Sequence, residues 1–74
     1  MSKKKKLNRL KIVLAEKDLT NRWLAGEMDV SELTVSRWVT NSRQPNLATL
    51  FEIAETLKVD VCDLINRDSQ THLG

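Results

Sequence analysis

The sequence predicts an all-α domain of five short helices. Three observations carry that reading. Leu, Ala, Glu and Lys are common, whereas the 74 residues include only two glycines and one proline. Apolar residues recur three and four apart along most of the chain, the spacing of one helical face. Each later run of this kind is preceded by a residue whose side chain can accept from the free amides of a first turn: Thr20, Ser31, Asn46 and Asp60.

The first helix is expected over Leu7 to Lys17. Leu7, Leu10, Val13 and Leu14 form its buried stripe, and Asn8, Arg9, Lys11 and Glu16 occupy the other side. Ile12 falls off the stripe. Asp18 ends the helix, because Asp tolerates left-handed backbone better than most residues. The second helix runs from Asn21 to Met28 behind Thr20, with Leu24, Ala25 and Met28 facing inward. Gly26 inside it costs ~1 kcal/mol relative to Ala. It is either simply tolerated or marks the close approach of another backbone. Asp29 supplies a break, and Ser31 caps a third helix from Glu32 to about Thr40, where Glu32 complements the helix dipole. Val35 and Trp38 face one way; Glu32, Leu33, Ser36 and Arg37 are left on the other.

Asn41 to Asn46 is a polar turn whose end Pro45 enforces. The fourth helix follows Asn46 and reaches Lys58, with Leu47, Leu50, Phe51, Ala54 and Leu57 as its stripe and Ile53 on the flank. Asp60 caps a fifth, Val61 to Asn66, that turns Leu64 and Ile65 inward. The domain therefore spans 7–66. Residues 1–6 are a basic arm and 67–74 a polar, frayed tail.

A chain of this length buries only ~60–65% of its unfolded surface, so stability is modest and oligomerisation helps. An apolar fraction of 41% with 30% charge is that of a folded rather than a disordered chain. No apolar run approaches the ~18 residues of a membrane span. Lys3 to Lys6 is not followed by the apolar core of a signal peptide. Cys62 is the single cysteine, which excludes an intrachain disulfide or cysteine cluster and fits a reducing cytoplasm. His72 stands alone, and no glycine-rich phosphate loop or paired carboxylates are present, so neither catalysis nor a cofactor, metal or small-molecule ligand is expected.

Charge is distributed unevenly. Met1 to Pro45 holds ten basic and five acidic residues; Asn46 to Gly74 holds two basic and five acidic. A basic front attracts a polyanion and an acidic rear stays off it. The lysine run is then either a solvated tail or an arm that contacts phosphates. Two helices at a fixed angle, the second showing polar side chains outward, suit insertion into a DNA groove.

From Asn8 to Ile65 the chain resembles the helix-turn-helix domain of lambda-type phage repressors and Cro, the xenobiotic-response-element family. The motifs are Leu19-Thr20, Leu24-Ala25, Val30-Ser31, the TVSRW run from Thr34 to Trp38, and the stretch from Gln44 to Val59. The resemblance implies a five-helix lambda-repressor-like bundle that binds double-stranded DNA through helices two and three, usually as a dimeric transcriptional regulator on a palindromic operator, a repressor more often than an activator. Asn21 takes the position that binds a phosphate. Glu32, Leu33, Thr34, Ser36 and Arg37 take the recognition positions, and Asn41 to Gln44 form a loop that touches the backbone. Dimers often meet at the junction that corresponds here to Leu57, Val59, Val61 and Cys62; alternatively both valines complete the monomer core.

The side-chain chemistry fits these roles. Arg37 can make a bidentate contact to guanine, Glu32 can accept from the cytosine amino group, and Leu33 can pack on a thymine methyl. Ser36 and Thr34 are short donors suited to phosphates or to either base type, with Ser36 set among the base-reading positions and Thr34 among the phosphate contacts. Lys11 and Arg43 are charge contacts that set register rather than sequence. The alternatives are a solvated arginine and an acid that serves only the helix dipole. The sequence also departs from the family. Asp18 and Asp29 stand where glycine is frequent. Leu14 and Val39 replace a buried ion pair and are expected to touch, a replacement that is often neutral or stabilising. Trp23 stands where a charged residue is usual, as an edge of the core, a partner surface or a contact at the DNA margin. A second function remains open on the sequence alone: a protein-interaction module, as in an antitoxin or a coactivator.

Overall fold

The computed structural model describes residues 6–66. The tail over 67–74 and all of the basic arm except Lys6 lie outside the described residues. Four α-helices are present among them: α1 (Leu10–Glu16), α2 (Asn21–Met28), α3 (Glu32–Val39) and α4 (Leu47–Leu57). The fifth expected helix is instead a single 3-10 turn, Val61–Leu64. Its geometry follows from its caps. The Asp60 carboxylate accepts from the Cys62 amide at 3.0 Å, and the Asp63 carboxylate accepts from the Asp60 amide at 3.2 Å. That reciprocal capping box closes one tight turn. The chain then becomes extended at Ile65 and pairs with Asn8 in an isolated antiparallel bridge.

This pairing also corrects the start of α1. Leu7 to Arg9 are not helical. The Arg9 amide donates to the Leu64 carbonyl at 2.8 Å, and the Asn66 amide to the Leu7 carbonyl at 2.9 Å. Leu7 is consequently exposed, and Asn8, expected on the outside, is buried. The helix begins at Leu10, whose amide donates to the Asn8 side chain at 3.0 Å.

Elsewhere the local chemistry acts as expected. Thr20, Ser31 and Asn46 accept from the amides of Trp23, Thr34 and Thr49, each the third residue of its helix. Asp18 and Asp29 both adopt left-handed backbone, with φ of 61° and 58°. They close α1 and α2 as glycine commonly does: the Leu19 amide returns to Leu14 and the Val30 amide to Ala25. Lys58 does the same for α4 at φ 60°.

The core collects Leu10, Val13 and Leu14 from α1, Leu24 and Ala25 from α2, Val35, Trp38 and Val39 from α3, Ile53, Ala54 and Leu57 from α4, and Leu64. Leu14 and Val39 thus enter one apolar core. Full burial of side chains such as Leu24 or Ile53 contributes roughly 1.5–3 kcal/mol each. The buried face of α4 is rotated from the expected one. Ile53 is fully buried, while Leu47 and Phe51 are 69% and 53% exposed. The set Leu50, Ile53, Ala54 and Leu57 makes the i, i+3, i+4, i+7 face, and Phe51 lies beside it. Trp23 is half-buried and packs on the core edge. A Cβ added to Gly26 would meet nothing within 4 Å, so no close backbone approach explains that glycine.

Candidate nucleic-acid interface

Among the described elements α2 and α3 are the most extensively packed pair. The turn between them is set by two adjacent devices, the left-handed Asp29 and the Ser31 cap. The inner faces are apolar: Leu24 and Ala25 on α2, and Val35, Trp38 and Val39 on α3. With those side chains buried, the rotation of α3 about its own axis is fixed, and Glu32, Leu33 and Arg37 are turned outward and exposed. Ser36 is half-buried beside them. Leu33 is 58% exposed on a helix that has an apolar core beneath it. Within the described residues the Arg37 guanidinium has no protein acceptor, so its fork is free for an external one.

The remaining expected contacts surround this helix. Asn21 is half-buried at the first position of α2, where amides not used within the helix point outward and the dipole favours an anion. Arg22 follows it, exposed, a cation that the sequence motifs do not single out. Lys11 and Arg43 are exposed on α1 and on the loop after α3. Thr34 is half-buried, and its hydroxyl lies 2.9 Å from the Ser31 hydroxyl, so it is partly committed to the helix cap.

Two expectations change. The Asn41 side chain is buried, accepts from the Asn8 amide at 2.9 Å and donates to the Asn8 carbonyl at 3.2 Å. It is turned into the protein, which takes it out of the set of phosphate contacts. Gln44 accepts from the Asn8 side chain at 2.8 Å and donates to Asn41 at 3.0 Å, and retains one amide hydrogen. At the expected dimer junction Leu57 is 2% exposed and belongs to the monomer core. Val59 and Val61 are half-buried against that core, and Cys62 is exposed. The two valines line an open groove with Phe51, Glu52, Glu55 and Asp60.

Residues 10–64 match the family described as Helix-turn-helix, which spans every helix of the fold. The chain belongs to the Cro/C1-type helix-turn-helix family. A helix-turn-helix domain of this type is also similar to a solved structure, described as "a putative DNA-binding protein from Bacteroides fragilis". Identity to that structure is 58%, covering 81% of this chain and 97% of that one, with a TM-score of 0.80. No curated protein matches. Among the described residues no helix is long and apolar enough to cross a membrane. Neither do they contain a group of three or more His, Cys, Asp or Glu that could hold a metal ion. The family name leaves the Asn8–Asn41–Gln44 contacts unaddressed. Asn8 falls off the apolar stripe of the helix expected over Leu7 to Lys17, which puts it on the outside, and its separation from Asn41 carries no local signal.

Proposed function

We propose that this helix-turn-helix domain binds double-stranded DNA sequence-specifically and acts as a small transcriptional regulator. The observation that carries this reading is the outward face of α3: Glu32, Leu33 and Arg37 are exposed on a helix whose rotation is fixed by Val35, Trp38 and Val39. A rigid helix with an unengaged arginine, an acid and an exposed leucine offers a guanine donor, a cytosine acceptor and an apolar contact for thymine. Ser36 adds a short donor beside Arg37. Asn21, Thr34, Lys11, Arg43 and the remaining hydrogen of Gln44 contact phosphates around it, and Arg22 joins them from the start of α2.

The proposed unit is a two-fold dimer on a palindromic operator, with recognition helices ~34 Å apart. Val59 and Val61, with Phe51 beside them, supply its apolar contact; Leu57 supports that surface from inside. Repression is the simpler mode, since it requires only that the operator be occupied.

Selection of bound duplexes from a random pool tests the reading directly. The expected result is one symmetric consensus whose affinity falls steeply as salt rises, because phosphate contacts release counterions. Failure to enrich any sequence at low salt would instead favour the second reading, a protein-interaction module. The exposed Leu47 and Phe51 are the features that would serve it.

A further inference from the structure

Asn8 and Asn41 are the two buried polar residues among the described core, 33 positions apart in sequence. Every hydrogen-bonding group of Asn8 is used. Its amide donates to the Asn41 side chain at 2.9 Å and its carbonyl accepts from that side chain at 3.2 Å. Its side-chain oxygen caps Leu10 at 3.0 Å, and its side-chain nitrogen donates to the Trp38 carbonyl at 3.0 Å and to Gln44 at 2.8 Å. The Trp38 carbonyl, near the end of α3, also takes the Asn41 amide at 3.1 Å. Asn41 itself is left-handed at φ 62°, which turns the chain so that the Ser42 and Arg43 amides both reach the Arg37 carbonyl. A hydrogen-bonded network around two buried asparagines is directional: it sets orientation as well as proximity, unlike an apolar contact.

We propose that Asn8, Asn41 and Gln44 form one lock that positions the loop after the recognition helix for phosphate contact. The lock joins three pieces of the chain: the extended segment before α1, the C-terminal end of α3, and the loop that carries Arg43. It holds Arg43 at a defined place relative to Arg37, so the phosphate contact and the base contact stay in register. Lys6 and Lys11 line a cleft with Asn8, Thr40 and Asn41, so basic residues flank the same lock, while the Arg9 guanidinium is engaged at the Asp63 carbonyl at 3.1 Å. Asn8 and Asn41 are positioning residues that do not touch the nucleic acid. The proposal rests on the reading of the domain as a DNA binder.

The test uses Asn8→Asp and Gln44→Ala, each alone and combined with Arg43→Ala, in the full chain. Asn8→Asp keeps the oxygen that caps Leu10 but removes the donor to Trp38 and Gln44. Gln44→Ala opens the network from its exposed end and serves where the first variant fails to fold. Hydrogen exchange is read first, without DNA. Exchange at the Ser42 and Arg43 amides is expected to rise while that of the α2 amides stays at the wild-type value. Binding to the selected duplex is read second. In the wild-type background Arg43→Ala is expected to lower the slope of log affinity against log salt by about one. In either lock variant that change is expected to vanish, and the affinity lost on Arg43→Ala is expected to shrink by about threefold or more. Unchanged exchange at Ser42 and Arg43, or an equal cost of Arg43→Ala in every background, overturns the lock. If the wild-type chain selects no duplex while exchange responds as expected, the DNA-binding reading fails and the positioning role falls with it; the network then only holds the loop.

Discussion

At the scale of single residues, conformation and function are separable in this domain. Gly26 lies on the exposed side of α2 with open space around it, and its backbone has no need of a positive φ. Replacing it by alanine restricts the unfolded chain and removes a weak helix former. Gly26→Ala is expected to stabilise the fold by about 0.5–1 kcal/mol, which thermal unfolding reads as a Tm higher by several degrees; a lower Tm would mean that the open space is filled in solution. Arg37 is its counterpart in the proposed function. It is exposed and its side chain is not engaged within the described residues, so Arg37→Ala should leave Tm unchanged. Binding to the selected duplex is expected to weaken by ~1–3 kcal/mol, with base preference relaxed at one position. An equal loss for all sequences would assign Arg37 to a phosphate instead.

At the scale of elements, short helices are held by their ends. Helices of seven to eleven residues are too short to be stable alone, and this fold gives α2, α3 and α4 side-chain caps. In the proposed function Ser31 matters most, because it starts α3 and fixes where the outward face of Glu32, Leu33 and Arg37 begins. Ser31→Ala removes the acceptor of the Thr34 amide, at 3.1 Å, and frees the Thr34 hydroxyl. The expected cost is about 0.5–2 kcal/mol of stability, measured by denaturant unfolding. Ser31→Asp, which restores an acceptor at the helix start, should recover most of it. Failure of that rescue would show that the hydroxyl pair, rather than the cap, carries the effect. The same scale explains the loss of the fifth helix: an element of four residues with a reciprocal cap closes as one 3-10 turn, and the following residues find a better partner in the extended segment at Asn8.

At the scale of the whole molecule, α4 carries the two exposed apolar side chains that lie nearest the acidic rear of the described residues. Phe51 and Leu47 are exposed on α4, and Phe51 borders the groove that holds Val59 and Val61. Glu52, Glu55 and Asp60 surround that apolar patch, so two copies meeting there must bring like charges near one another. The dimer we propose through this face is therefore expected to be weak off DNA and strengthened by the operator. Phe51→Asp changes an exposed position, so monomer stability should move by no more than ~0.5 kcal/mol. Cooperative binding to a full palindrome should be lost, while affinity for a half-site is retained. Analytical ultracentrifugation with and without operator DNA, beside a titration of both duplexes, checks this. Undiminished cooperativity would place the dimer contact elsewhere.

Local chemistry was sufficient for much of this protein. The caps Thr20, Ser31, Asn46 and Asp60, the left-handed Asp18 and Asp29, and the extents of α2 and α3 are all decided by residues within four positions of one another, so they are legible in the sequence. The outward placement of Glu32, Leu33 and Arg37 follows as well, because a helix with Val35 and Trp38 buried has one remaining face. Contacts between distant segments decided the rest. Leu7 is excluded from the core and Asn8 admitted because residues 64–66 pair with residues 7–9, an arrangement no periodicity reports. Asn41 is withdrawn from the solvent by that same asparagine. Phe51 is left outside, although its spacing allows burial, because α4 packs against α2 and the 3-10 turn with Ile53 and Ala54 turned inward. Helical period tells which residues share a face, but only the packing partner determines how far that face extends and which of its edges remains free.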